Sequence, residues 1–333
     1  MNGRASGSKS DRAHIPVLCD EVVALLDPQA GETYADGTAG LGGHAAAIAP
    51  LLGPSGRIVL NDLDPGNLEK ATARVRAAAD EAGADGLEII AVHGSFAALP
   101  AELESRGIRV DCFLADLGFA SNQVDDPERG LSFQAEGPLD MRLDPTRGET
   151  AADLVNRLEE RDLADLIFRF GEERLSRRIA QKLVEARRVD PIHTTTRLAD
   201  IVRSAYPVAM ARKSRIHPAT RTFQALRIAV NGELDHLDRL LKAIERGSEA
   251  ARRAPEGETG PWLACGARVG IIAFHSLEDR PVKQSFVDFA SRDLVDRLTR
   301  KPIVAGDAEA SGNPRARSAK LRGVRVVCPG SSR

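Results

Sequence analysis

The chain has 333 residues, 42% of them hydrophobic and 28% charged, an ordinary globular composition with enough apolar material for one large core plus an insertion, or for two domains. With 46 Lys and Arg against 48 Asp and Glu, the net charge of −2 excludes a global attraction for polyanions, so affinity for a nucleic acid must come from local basic patches. The four cysteines, Cys19, Cys112, Cys265 and Cys328, are far apart and show neither a paired metal-ligand spacing nor a dense disulfide framework, which fits a reducing cytoplasm.

In chain order, Met1 to Arg12 are polar and rich in Gly and Ser, without the apolar stretch of a signal peptide, and residues 1–13 read as a disordered tail. No later apolar run reaches the length that spans a bilayer, so a soluble protein with no membrane partner is expected. Four β-rich segments then alternate with helical patterns: Thr33 to Ala35, Arg57 to Leu60, Leu87 to Val92 and Asp111 to Ala115. Such alternation predicts a parallel sheet. Three segments run into Asp36-Gly37, Asn61-Asp62 and Asp116-Leu117-Gly118, at the strand ends where open α/β sheets bind ligands.

From about Asp125 to Arg215 strand signals stop and helical periodicity takes over, with Leu175, Ile179 and Leu183 on one face. The spacing predicts a mostly helical insertion over 125–216. After Pro218, a long amphipathic helix carries Phe223, Leu226, Val230, Leu234, Leu237 and Leu241 at steps of three and four. A loop from Gly247 to Pro261, a strand from Arg268 to Phe274, a helix from Arg280 to Ala290, and short strands at Pro302 to Ala305 and Gly323 to Val327 complete the order. The sheet thus resumes after the insertion.

The segment Asp36 to His44 places Gly37, Gly40, Gly42 and Gly43 between a strand and an Ala-rich helix, where free backbone N–H groups suit a ligand approaching closely. A purely structural turn explains the same glycines equally well. Asp62 ends the next strand where an acid typically accepts from ribose hydroxyls, with Asp64 the competing candidate. The glycines do not form a strict dinucleotide pattern, so a single nucleoside such as S-adenosylmethionine fits better than NAD, and a nucleotide-dependent oxidoreductase is the weaker alternative. Asp116 precedes Leu117-Gly118-Phe119, where enzymes acting on exocyclic amines of bases place an acceptor; a helix-capping Asp is the bland alternative.

Several long motifs coincide with one family: His14 to Leu18, Asp36 to His44, His93 to Phe96, Asp116 to Gly118, Asp125 to Phe133, Gly137 to Arg147, His217 to Glu233, Phe274 to Arg280 and Asn313 to Arg322. The chain resembles the bacterial 16S ribosomal RNA cytidine N4-methyltransferases of the MraW/RsmH type. The resemblance implies an α/β class I, Rossmann-like, S-adenosylmethionine-dependent methyltransferase domain (14–124 and 217–333) interrupted by the helical, substrate-recognising insertion. It implies methylation in the decoding region of 16S rRNA, within the small subunit in the cytoplasm, with no metal. It places Gly42, Gly43, His44, Asp62, Phe96, Asp116 and Gln123 at the cofactor, where Asp36 and Gly40 of the glycine turn join them. By position Asp116, with Ser121 and His275 as further candidates, stands near the chemistry, a structural role being the bland reading of a His at a strand end.

Two basic clusters, around Arg215, His217 and Arg221 and around Arg315, Arg317 and Lys320, are the expected RNA contacts; a solvated face is the bland reading of each. The loop after Gly118 departs from the family's usual Val-Ser-Ser-Pro-Gln, reading Phe119-Ala120-Ser121-Asn122-Gln123 here. That loss of a hydroxyl and a proline leaves open an RNA-binding assembly factor with reduced activity. A homodimer is compatible with the sequence, which does not fix the oligomeric state.

Overall fold

The computed structural model describes residues 16–207, 210, 216–253 and 260–328. The expected tail and Arg215 lie outside the described residues. Five strands are parallel: β1 (Thr33–Asp36), β2 (Arg57–Asp62), β3 (Glu88–His93), β4 (Val110–Asp116) and β5 (Leu263–Ala273). Two more, β6 (Val295–Arg297) and β7 (Lys320–Val326), are antiparallel to each other, and β7 runs antiparallel to β5. The sheet order is β3-β2-β1-β4-β5-β7-β6. The chain builds outward from β1 to β3 and then returns to the other side of β1 as β4. A crevice therefore opens between the carboxyl ends of β1 and β4, the switch point where such sheets bind ligands.

Alternation along the central strands sends side chains to two layers. Tyr34, Ile58, Leu60, Cys112 and Leu114 join a core with the helices Cys19–Leu26, Gly43–Leu52 and Pro65–Glu81. Ala35, Val59, Phe113 and Ala115 join a second core with Leu99–Ser105, Glu233–Arg253 and Ser276–Ser291. Phe113 is fully buried, edge-on to Trp262 at 5.2 Å, and burying such a ring contributes roughly 1.5–3 kcal/mol.

A third core belongs to the helices Ala151–Arg157, Glu160–Gly171, Ser176–Arg187 and Thr195–Ser204. Thr150 and Thr194 cap the first and last of these, each hydroxyl accepting a backbone N–H of the first turn. The helix Thr220–Asn231, grouped with the sheet by the sequence pattern, places Phe223 and Leu226 in this third core. Its backbone packs so closely on Gly171 that a Cβ there would stand 2.5 Å from the Arg221 carbonyl.

Several local expectations change. The amphipathic run after Pro218 is two helices, because Gly232 adopts φ 58° and ends the first before Glu233–Arg253 begins. The expected loop at Gly247 is helical as far as Arg253, since Gly247 lets the helix approach Trp262, whose Nε1 donates to the Ala243 carbonyl. Pro302 to Ala305 contribute only a bridge from Ile303 to Leu321, while three-residue β6, two of them exposed, carries too little apolar signal to be seen in sequence. Cys265 and Cys328, expected as separate thiols, are joined in a disulfide between β5 and the segment after β7.

Candidate active site

A cavity of about 320 Å³ occupies the switch point. Its walls combine the β1 turn (Gly37 to Leu41, Gly43, His44), Asp62, Phe96, the β4 end (Asp116 to Ala120) and Gln123 with Gln224, Arg227, Asn231, Glu233 and His236. Phe274, His275, Glu278 and Arg315 close the far end.

The half of the cavity at the ends of β1 and β2 is held together by backbone and carboxylate contacts. Asp62 accepts from Gly40 N–H at 2.7 Å and from Asp64 N–H at 2.8 Å, and burial pushes its pKa up to about 6. Each oxygen keeps a lone pair for a ligand hydroxyl. Asp64, the competing candidate, instead caps the helix Pro65–Glu81 and pairs with Arg129 at 2.8 Å. Asn61 donates to the carbonyls of Gly37 and Gly94, tying two cavity loops together. Phe96 offers an apolar wall, with His236 edge-on at 6.0 Å.

Asp36 supports the turn from behind, not from the cavity wall. It is 1% exposed, accepts from the Tyr34 hydroxyl and Thr38 N–H, and burial pushes its pKa up to about 6. Gly42 acts in the same way, at φ 74° with its Cα packed on Ala71. Gln123 lines the cavity but spends both ends of its amide, accepting from Ala120 N–H and donating to Asp64.

Asp116 sits between the two halves. Its Oδ2 stands 3.6 Å from His44 Nε2, an ion-pair distance too long for a hydrogen bond, while Oδ1 is buried without a hydrogen-bond partner. Burial alone would lower the His44 pKa, but Asp116 and Asp36 outweigh it and push the value up to about 10. His44 is therefore an imidazolium facing one oxygen of Asp116, while the other, buried oxygen has no hydrogen-bond partner.

At the far end Arg227 makes a two-pronged pair with Glu233, at 2.7 and 2.8 Å. His275 Nε2 lies 3.2 Å from Glu278 Oε1, and Glu278 also accepts from the backbone N–H of Phe274 and His275. Glu233, His275 and Glu278 have donor atoms within 4.8 Å of one another, a set able to hold a divalent cation. Arg227 already neutralises Glu233, so the group stands here as an ion-pair network.

The remaining predicted residues scatter. Ser121 starts the short helix Ser121–Asp125 and does not line the cavity. His217 stacks on Phe133 at 4.6 Å, and Arg221 donates to the Glu172 carbonyl. Lys320 pairs with Asp279 at 3.2 Å, alongside Arg322. Arg315 lines the cavity, 5.2 Å over the Phe119 ring, whereas Arg317 is exposed and donates to the Ala310 carbonyl. Sequence reading did not single out Gln224, Asn231 and Glu233, although Gln224, Arg227 and Asn231 at steps of three and four share one helix face.

Residues 11–327 match the model of the MraW methylase family. The chain belongs to that family. Relatives named ribosomal RNA small subunit methyltransferase H occur in Acidobacterium capsulatum (46% identical, covering 93% of this chain and 97% of the relative), Sorangium cellulosum (46%, 94% and 91%) and Koribacter versatilis (46%, 93% and 93%). As a member of the MraW methylases the chain uses S-adenosylmethionine, the cofactor expected from its sequence. The residues present fit that group. Asp62 has free lone pairs for ribose hydroxyls, Phe96 an apolar face, and the glycine turn room for backbone approach. No helix of the described residues is long and apolar enough to cross a membrane.

Proposed function

We propose that this methylase transfers a methyl group to the N4 amine of a cytidine in the decoding region of 16S rRNA, acting on the small ribosomal subunit in the cytoplasm. The observation that carries the reading is Asp116, which lines a cavity whose other half suits a nucleoside and whose buried Oδ1 has no hydrogen-bond partner. An aryl amine is a poor nucleophile because its lone pair is delocalised into the ring. A carboxylate oxygen accepting one N4–H holds the amine in the geometry that exposes the lone pair, and it stabilises the positive charge growing on nitrogen. His44 fixes the carboxylate through its other oxygen.

S-adenosylmethionine, when bound, supplies an activated methyl group on sulfur. Asp62 and Phe96 orient that donor and Asp116 orients the acceptor, so the gain comes from alignment of two reactants. His275, paired with Glu278, closes the cavity from the β5 side and is positioned to contact the base. Arg221, Arg317 and the neighbouring described basic residues supply phosphate contacts outside the cavity. The helical core around 139–226 presents the RNA, and its helix Thr220–Asn231 completes the cavity wall.

The test is mass mapping of methylated nucleosides in 16S rRNA from cells lacking this gene, before and after treatment of their small subunits with the purified protein and donor. N4-methylcytidine appearing at one decoding-region position is the expected result. A different methylated nucleoside, or none, overturns the assignment.

A further inference from the structure

Two groups of opposite charge line the cavity with hydrogen-bonding capacity unused. One is Asp116, whose buried Oδ1 has no hydrogen-bond partner. The other is the guanidinium of Arg315, half-buried against Phe119; among the described residues no hydrogen bond or ion pair is made by that side chain. Comparable arginines are all committed: Arg129 to Asp64, Arg227 to Glu233, Arg268 to Glu32 and Arg322 to Asp279. Asp125 and Asp116 act on this guanidinium through space, yet neither is hydrogen-bonded to it, so its N–H donors remain available to an acceptor on a ligand in the cavity.

Arg315 feels Asp125 first and Asp116 second and forms an ion pair with neither, so a carboxylate and a fork of N–H donors line one cavity without closing on each other. Phe119 has two guanidiniums over its ring, Arg227 at 4.6 Å from the centroid and Arg315 at 5.2 Å. Arg227 is anchored by Glu233, so Phe119 rests on a fixed neighbour while Arg315 lies against the same ring.

We propose that Arg315 reads the Watson–Crick edge of the target base, donating to N3 and O2 of a cytosine whose N4 amine is held by Asp116. The inference rests on the N4-cytidine reading above and gives it a means of selection. Cytosine offers a donor followed by two acceptors, the complement of one carboxylate oxygen beside two guanidinium donors. Uracil would set O4 against Asp116 and N3–H against the guanidinium, two repulsive contacts in place of attractive ones. Adenine offers an amine and a single acceptor, and loses one of the two Arg315 bonds. Arg315 is thus a specificity-determining residue, with a role separate from phosphate contacts such as that proposed for Arg317.

The experiment compares wild type, Arg315→Gln and Arg315→Lys on unmodified small subunits. It measures kcat/KM with saturating donor, the salt dependence of subunit binding, affinity for S-adenosylhomocysteine, and the identity of the product. Both variants are expected to lose roughly 10–100-fold in kcat/KM, since lysine keeps the charge but cannot present two aligned donors. The salt slope should stay at the wild-type value, and affinity for S-adenosylhomocysteine should change by less than about twofold, because the contact is to a base. Retained product affinity shows the variants are folded, and if the glutamine variant fails to fold the lysine variant decides alone. Wild-type rates in both, rescue by lysine, or a salt slope reduced by about one unit would each overturn the assignment and return Arg315 to a phosphate or structural role. A wild-type product other than N4-methylcytidine would remove the reading on which the inference rests. N4-methylcytidine made equally well by the variants would remove only the role of Arg315.

Discussion

Replacing Asp116 tests both halves of its arrangement. Asp116→Asn keeps the shape and one acceptor oxygen but removes the charge facing His44 across 3.6 Å. Asp116→Ala removes the acceptor as well. With saturating donor, the alanine variant should lose ~10²–10⁴-fold in kcat, the contribution of a positioned catalytic group, and the asparagine variant should lose less. Stability should respond differently. The His44 pKa, about 10 in the folded protein against 6.5 when unfolded, means its ion pair stabilises fully below about pH 6.5 and is lost as the pH rises through 10. Asp116 is one-quarter exposed, so we discount the pair to about 1–3 kcal/mol. The asparagine variant should therefore melt well below wild type at pH 6 and close to it near pH 10. Tritiated methyl transfer to small subunits, with donor affinity measured separately, gives the kinetic half, and thermal melts at the two pH values give the other. Wild-type kcat in both variants would refute the acceptor role, and a melting difference independent of pH would refute the ion pair.

Gly42→Ala should destabilise the fold by about 2 kcal/mol or more, because the residue is at φ 74° and a Cβ would stand 2.8 Å from the Ala71 backbone; calorimetric unfolding checks this. Affinity for S-adenosylhomocysteine should fall as the pH drops through about 6, where Asp62 takes up a proton and stops accepting from ribose hydroxyls, and Asp62→Asn should flatten that profile in titration calorimetry. A wild-type profile flat from pH 8 to about pH 5 would remove Asp62 from the ribose site. Arg317→Glu should reduce the slope of log affinity against log salt for subunit binding by roughly one to two, with donor affinity unchanged; equal slopes would leave Arg317 without a phosphate contact.

Much of the cavity wall at the ends of β1, β2 and β4 was legible in the sequence because its parts are local. A strand followed by glycines, an acid at the end of the next strand, and an acid at the end of β4 are signals carried by neighbours in the chain, and strand alternation fixes which end of the sheet they share. The family motifs extended that reading to S-adenosylmethionine. Weak local signals failed where packing overrides them. Gly247 marks a loop by type but serves a helix pressed against Trp262, and β6 is a three-residue edge strand recruited by β7.

The sequence by itself determined the parallel sheet, the interruption by helices, the glycine turn and the acids at the strand ends, since each follows from periodicity or turn chemistry within a dozen residues. Only the tertiary structure decided how those acids divide their work. Asp62 lines the cavity while Asp64, two residues on, is consumed by a helix cap and Arg129. It likewise brought Gln224, Arg227 and Asn231 across more than a hundred residues to face Asp116, and set Arg315 in the cavity while Arg317 stayed outside. A side chain's type and local spacing fix what it can bond, but the partners it meets depend on which distant elements the core brings together.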